Sequence, residues 1–220
     1  EGFFELLEWH DDADTRLHVV DRDTGRLRTQ PAVDPFFTFH TINAYDDEGS
    51  VVVDLVAFED NTIVDALSLD RLETAGFAGV PPGRLVRLRI GPDGTVSREQ
   101  LYDGGIELPT VPTPLQSRPY RYAYGQATDR EGANGLVKVD TAHGQASEWW
   151  QRDLYIEEPW MVQRPDATAE DEGVVLAPAL DVAAENSLLL VLDAGTLDEL
   201  ARAPVPHHNP FGFHGRFFEH

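Results

Sequence analysis

The stretch PFFTFHTINAYDDEGSVVVD, residues 35–54, sets Phe36, Phe37 and Phe39 around a single histidine, His40. A polar turn over residues 43–50 leads into Val51-Val52-Val53, and the apolar, β-branched block continues to Phe58. Its length and branching predict a buried strand. An imidazole beside a buried strand is most often held there by packing alone. A second such histidine changes the reading. Near the other end, PFGFHGRF (residues 210–217) again places aromatics on both sides of an imidazole, His214, with Gly212 and Gly215 flanking it. Glycines allow a backbone or a ligand to come close, which suits a crowded site.

Working outward, strand signals dominate. Residues 15–20 and 26–30 read as a hairpin turned at Gly25. Residues 85–90 alternate apolar residues with arginine, turn at Gly91-Pro92-Asp93-Gly94 and return through 95–101. Two later hairpins share a pattern, an apolar strand closed by aspartate and a glycine turn. One is 136–140 with 145–150 and the other 188–193 with 200–205; Asp193 follows Asp140 by 53 residues. Four-stranded propeller blades repeat at roughly 40–50 residues. The fold class expected is therefore all-β, a β-propeller, and at that repeat 220 residues hold about four to five blades. Helical periodicity is confined to residues 196–202, and 63–72 reads equally as a short helix or an irregular excursion. Residues 109–119 form a proline-rich loop and not a domain boundary.

Acidic residues outnumber basic ones 39 to 17, for a net charge of −22, and Lys138 is the only lysine. So strong a negative field argues against nucleic acid as a partner and against anionic membrane surfaces. With 41% of residues hydrophobic and the acids dispersed, this is a folded domain and not an acidic tail. The absence of cysteine excludes disulfides, thiolate catalysis and cysteine-ligated zinc. No apolar run approaches the roughly 18 residues of a spanning helix. Met161 is the sole methionine, so the chain is expected to be a processed product or a fragment.

Six segments in fixed order carry a resemblance. They are FHTINAYDD (39–47), ELP (107–109), YRYAYG (120–125), EPWMVQRPDA (158–167), EDEGVVL (170–176) and PFGFHGRF (210–217). Together they resemble the carotenoid cleavage oxygenase family, the retinal pigment epithelial membrane protein and lignostilbene dioxygenase superfamily. The resemblance implies a seven-bladed propeller with ferrous iron, Fe(2+), held on its axis by four histidines. It would make residues 1–220 the C-terminal part of one propeller domain whose N-terminal part is absent. On this pattern His40 and His214 are two iron ligands, and Glu107 and Glu158 orient ligand imidazoles. The other two ligand histidines have no counterpart, so the chain alone is expected to be inactive. Thr41 stands where many members carry a second histidine, and Glu172 where aspartate is common.

The activity implied is cleavage of a carbon–carbon double bond of a carotenoid or apocarotenoid by dioxygen, giving two carbonyl products. The partners implied are an apolar polyene and O2, in a cytoplasmic setting with peripheral membrane contact for substrate extraction. Phe3, Phe4, Trp160, Phe211, Phe213, Phe217 and Phe218 are the candidates to line an apolar tunnel. His10, His18, His143, His207, His208 and His220 read as turn, strand, loop or terminal residues, and the acidic turn 170–172 as solvated. The alternative function is a metal-free propeller serving as a binding or scaffold module.

Dense carboxylates suit a high-salt cytoplasm such as a halophilic archaeon's, where screening removes their repulsion. Stability should therefore rise between dilute buffer and molar salt; thermal melting across that range checks it, and a melting temperature independent of salt would contradict the halophilic reading.

Overall fold

The structure is a computed structural model that describes residues 8–130, 132–207 and 209–218. A short two-step ribbon comes first: β1 (Thr15–Arg16), β2 (Val19–Val20), β3 (Leu27–Thr29) and β4 (Ala32–Val33), with β2 on β3 and β1 on β4. It realises the first expected hairpin, and His18 falls between its strands. A first antiparallel sheet follows in simple order, β5 (Thr41–Asp47), β6 (Ser50–Ala57), β7 (Arg84–Ile90) and β8 (Val96–Gln100). The second is β9 (Ile106–Thr110), β10 (Tyr122–Ala127), β11 (Gly135–Asp140) and β12 (Gln145–Trp149). In the third, β13 (Leu154–Ile156) and β14 (Trp160–Gln163) share one edge of β15 (Gly173–Asp181), followed by β16 (Asn186–Asp193) and β17 (Glu199–Pro204).

Three blade-like sheets among the described residues replace the four to five that repeat length suggested. The arithmetic failed because residues 58–83 leave the first sheet between β6 and β7. They form α1 (Thr62–Ala66) and α2 (Leu69–Ala75), which stretch that repeat without adding a strand. Residues 196–202 are a turn running into β17 and not a helix. There the turn is held by Asp193, which accepts the backbone N–H of Gly195 and Thr196, and the chain then pairs with β16.

The sheets stack face to face through apolar side chains that alternate along their strands. Val56, Phe58 and Leu85 of the first sheet's side meet Ile106, Ala123 and Val137 of the second. The second sheet's other face presents Tyr124 and Leu136 to Leu154, Met161, Val175 and Leu190 of the third. Because β11 lies between two neighbours, all six of its residues are buried, Lys138 and Asp140 included.

Asp54, Asn43 and Lys138, buried in these seams, are all paired, as desolvation demands. Asp54 is fully buried and accepts two bonds from the Arg87 guanidinium, at 2.8 and 2.7 Å, and one from the Tyr120 hydroxyl at 2.6 Å. Asn43 holds the 111–121 loop by donating to the carbonyls of Leu115 and Arg118 and accepting the amide of Ser117. Lys138 donates to Asp171 at 2.6 Å and to the Gly195 carbonyl, lying over the Tyr122 ring. The acidic turn is therefore a tie between sheets and not merely solvated. Glu170 accepts the backbone N–H of Arg121 and Tyr122, while Glu172 accepts those of Thr168 and Ala169.

Removing one partner of a buried pair leaves the other charge uncompensated. Asp54→Ala should destabilise the fold by about 3–5 kcal/mol, read from urea unfolding, and Tyr120→Phe should cost less because the ion pair survives it.

Candidate functional site

Each of the four candidate side chains sits where an inner strand, or the chain after the last strand, departs from regular pairing. His40 immediately precedes β5. Its carbonyl accepts the Val56 amide at 2.9 Å, and the ladder then slips between Thr41 and Asn43. Phe37 pairs with Phe58 just upstream, and Phe39 packs edge-on against Phe37 and Phe58. The aromatic wall is thus the extension of the strand that carries the imidazole.

Glu107 lies on β9 at a bulge. Leu108 and Pro109 intervene between paired positions Glu107 and Thr110, where only Gly125 intervenes on β10. A bulge turns a side chain away from the direction the regular pleat would give it. Leu108 adopts a φ of 45°, left-handed backbone that a branched residue enters only at a cost. Gly125 opposite is required by close approach: a Cβ there would stand 2.9 Å from the Glu107 carbonyl oxygen.

Glu158 occupies a break. The inner strand of the third sheet is split into β13 and β14 by Glu157-Glu158-Pro159, and Pro159 has no N–H to continue the ladder. The preceding residue is clamped from the second sheet. The Ile156 carbonyl accepts Gln126 Nε2 and Asn134 Nδ2, and its amide donates to Asn134 Oδ1.

These irregularities bring the four residues together. His40 Nδ1 lies 2.6 Å from Glu107 Oε2, which also accepts the Leu108 amide at 2.7 Å. His214 Nδ1 lies 3.0 Å from Glu158 Oε1, and the Gly215 amide donates to Glu158 Oε2 at 2.6 Å. The two imidazole rings stand 5.2 Å apart between centroids and nearly perpendicular. A carboxylate accepts only from a protonated nitrogen, so each ring carries its proton on Nδ1 when neutral and keeps a lone pair on Nε2. Among the described residues neither Nε2 has a hydrogen-bond partner.

The two pairs differ in setting. The side chains of His40 and Glu107 are 22% and 15% exposed, whereas His214 is 60% exposed over a Glu158 that is 10% exposed. The hydrogen bond that His40 donates to Glu107 raises the His40 pKa, opposed by burial and helped by the nearby charges of Glu107 and Glu158. Glu107 Oε1 is buried with no partner among the described residues. No group of three or more His, Cys, Asp or Glu side chains poised for a metal occurs among those residues. They contain no helix long and apolar enough to cross a membrane.

The other histidines stay apart from this pair. His143 is in its turn and bonds Asp140 at 2.9 Å, His18 contacts Gln30 at 3.0 Å, and His10 and His207 are exposed. His208 and His220 lie outside the described residues, as do Phe3 and Phe4. Of the tunnel candidates, Phe211, Phe213, Phe217 and Phe218 are between 39% and 78% exposed, so the described residues do not enclose them. Trp160 is half-buried and lines a cleft with Leu176, Phe213 and His214. Two neighbours went unnoticed in the sequence. Glu157 lines the same cleft, its pKa raised by burial, and Tyr155 packs on Phe211. The doubled acid before Pro159 was the available signal for Glu157; nothing local marks Tyr155.

Removing the Glu107 charge should lower the His40 pKa toward its ordinary value of 6.5. NMR titration of the His40 imidazole resonances in Glu107→Gln checks this.

The family description "Retinal pigment epithelial membrane protein" matches residues 1–219. Curated relatives include a mitochondrial carotenoid-cleaving dioxygenase of Mustela putorius furo, 33% identical over 98% of this chain and 48% of its own length. A carotenoid isomerooxygenase of Galleria mellonella is 35% identical over 99% of this chain and 46% of its own length. The chain thus spans about half the length of the curated relatives it matches. Among solved structures, cobalt-substituted Synechocystis apocarotenoid oxygenase aligns with a TM-score of 0.83 at 28% identity, over 97% of this chain and 46% of that one. That likeness makes the three stacked sheets blades of a β-propeller, and the matches in sequence and in fold agree along nearly the whole chain. The chain belongs to the retinal pigment epithelial membrane protein family, the family of the carotenoid oxygenases.

Proposed function

We propose that these residues form the C-terminal part of a single propeller domain of an iron(II)-dependent dioxygenase. Its reaction is cleavage of a carbon–carbon double bond of a carotenoid or apocarotenoid, the two atoms of O2 ending on the two carbonyl products. The single observation that carries the reading is the pair of imidazoles 5.2 Å apart, each held through Nδ1 by its own carboxylate. Relatives named as carotenoid-cleaving dioxygenases and isomerooxygenases support the substrate class.

The donor set fits ferrous iron. Neutral imidazole nitrogen suits Fe(II), and metal-bound histidines ordinarily donate their other N–H to a carboxylate or carbonyl. His40 and His214 would hold the metal, with further imidazoles contributed by upstream parts of the propeller. Bound there, iron supplies the centre at which dioxygen is activated.

The chain's own residues do the rest. Glu107 and Glu158 fix the ring orientation and tautomer, keeping each Nε2 lone pair available and making each imidazole a stronger donor. The aromatic wall of Phe37, Phe39 and Phe58 flanks His40, with Phe39 packed beside its ring. The chain alone lacks a complete ligand set and is inactive on this reading. The polyene is drawn from a membrane by peripheral contact, and the protein works in the cytoplasm.

The test uses the full-length protein. His40→Ala and His214→Ala should each abolish bound iron and carotenoid cleavage, measured by elemental analysis and by mass spectrometry of the carbonyl products. Glu107→Gln and Glu158→Gln should reduce metal affinity or activity by about 10–100-fold. Full iron occupancy in His40→Ala would overturn the ligand assignment, and an unaltered protein that binds no iron would favour a binding module.

A further inference from the structure

The imidazole of His214 rides on a segment that belongs to no sheet. After Val205 donates to the Ser187 carbonyl and Asn209 to the Ser187 hydroxyl, no backbone–backbone bond ties residues 209–218 to the fold among the described residues. All of residues 209–218 are exposed. The orientation of His214 must therefore come from side chains, and the Glu158 carboxylate reaches only His214 and Gly215 of the segment.

A second anchor lies three residues upstream. Phe211 packs against Phe77 and Tyr155, and the three rings close a triangle with centroids 5.8, 5.7 and 5.8 Å apart. Its members come from three separate places: the excursion of the first sheet, β13 of the third, and the C-terminal segment. Edge-to-face and tilted ring pairs of this kind attract beyond the area they bury. The excursion gains a purpose by it, since α2 buries none of its residues and sheet pairing does not need it. Glu157 adds a contact between the two anchors, its Oε2 lying 3.6 Å from where a Cβ on Gly212 would stand. Four residues of extended chain reach about 14 Å at most, so an anchor at Phe211 and another at Gly215 leave the arc between them little freedom.

We propose that Phe77, Tyr155, Phe211 and Glu157 are positioning residues that hold the C-terminal segment so that His214 meets Glu158 and faces His40. The importance of this for metal binding rests on the oxygenase reading; the positioning itself does not. The ring triangle acts on His214 and not on His40, whose place is set by the β5–β6 ladder and by Glu107. That difference supplies an internal control.

The experiment uses the chain free of metal, labelled with 15N. Long-range 1H–15N spectra report the tautomer of each histidine, and hydrogen exchange reports the Gly215 amide. Phe211→Ala and Phe77→Ala should each speed Gly215 exchange by about tenfold and turn the Nδ1-protonated His214 into an averaged tautomer mixture. His40 should stay Nδ1-protonated, and Phe211→Tyr should restore both signals. Glu157→Ala should act in the same direction and Glu157→Gln less. The proposal is overturned if Gly215 and His214 are unmoved in both alanine variants, or if His40 changes as much as His214. Should the variants fail to fold, the unaltered chain decides: free-peptide exchange at Gly215 there excludes a held segment. Neither readout involves iron, so failure here is separable from failure of the oxygenase reading, which the iron content of the full-length protein decides.

Discussion

The hydrogen bond between Glu107 and His40 is the constraint around which the rest of the site is arranged. A carboxylate whose side chain is 15% exposed sits in an apolar run of β9, where its charge would be costly without a partner. The His40 N–H at 2.6 Å and the Leu108 amide at 2.7 Å supply partners to one of its oxygens. Charge-assisted bonds of this kind contribute about 1.5–3 kcal/mol, enough to offset the left-handed backbone at Leu108. The strain and the bond arise together, because the bulge that twists Leu108 also turns the carboxylate toward the neighbouring sheet.

Glu158 repeats the solution by another route. Here the inner strand is broken by Pro159, and the break is registered from the second sheet, whose Asn134 and Gln126 fix the Ile156 backbone. The accuracy of the site therefore depends on the seams between sheets. Those seams are apolar with a few satisfied polar ties: Asp54 with Arg87 and Tyr120, Lys138 with Asp171, and Asn43 with the 111–121 loop. A paired buried charge stacks two sheets in one register, because any slip would leave a charge without its partner.

Much of this was legible in residue order. The hairpins 85–101, 136–150 and 188–205 appear within a residue or two of where alternation and turn chemistry put them, since both are local properties. The motifs around His40, Glu107, Glu158 and His214 identified the family for the same reason. The blade count was not legible, because the excursion at 58–83 has the length of further strands without their pattern. The acidic turn 170–172 looked like a solvated surface because its partners, the amides of Arg121 and Tyr122 and the amine of Lys138, lie on another sheet. Tyr155 and Phe77 carried no signal, being separated by 78 positions from each other and by more than 50 from Phe211.

What residue order by itself determined is the set of chemical groups and the local conformations: β-branched strands, glycine turns, two imidazoles among aromatics, and two glutamates each within two residues of a proline. What only the tertiary structure decided is which carboxylate meets which imidazole. His40 and Glu107 are 67 residues apart, and Glu158 and His214 are 56 apart. Their meeting follows from how three sheets stack and where each inner strand bulges or breaks. Strand pairing and side-chain alternation operate over a few residues, whereas the stacking that aligns these irregularities is a property of the whole packed core.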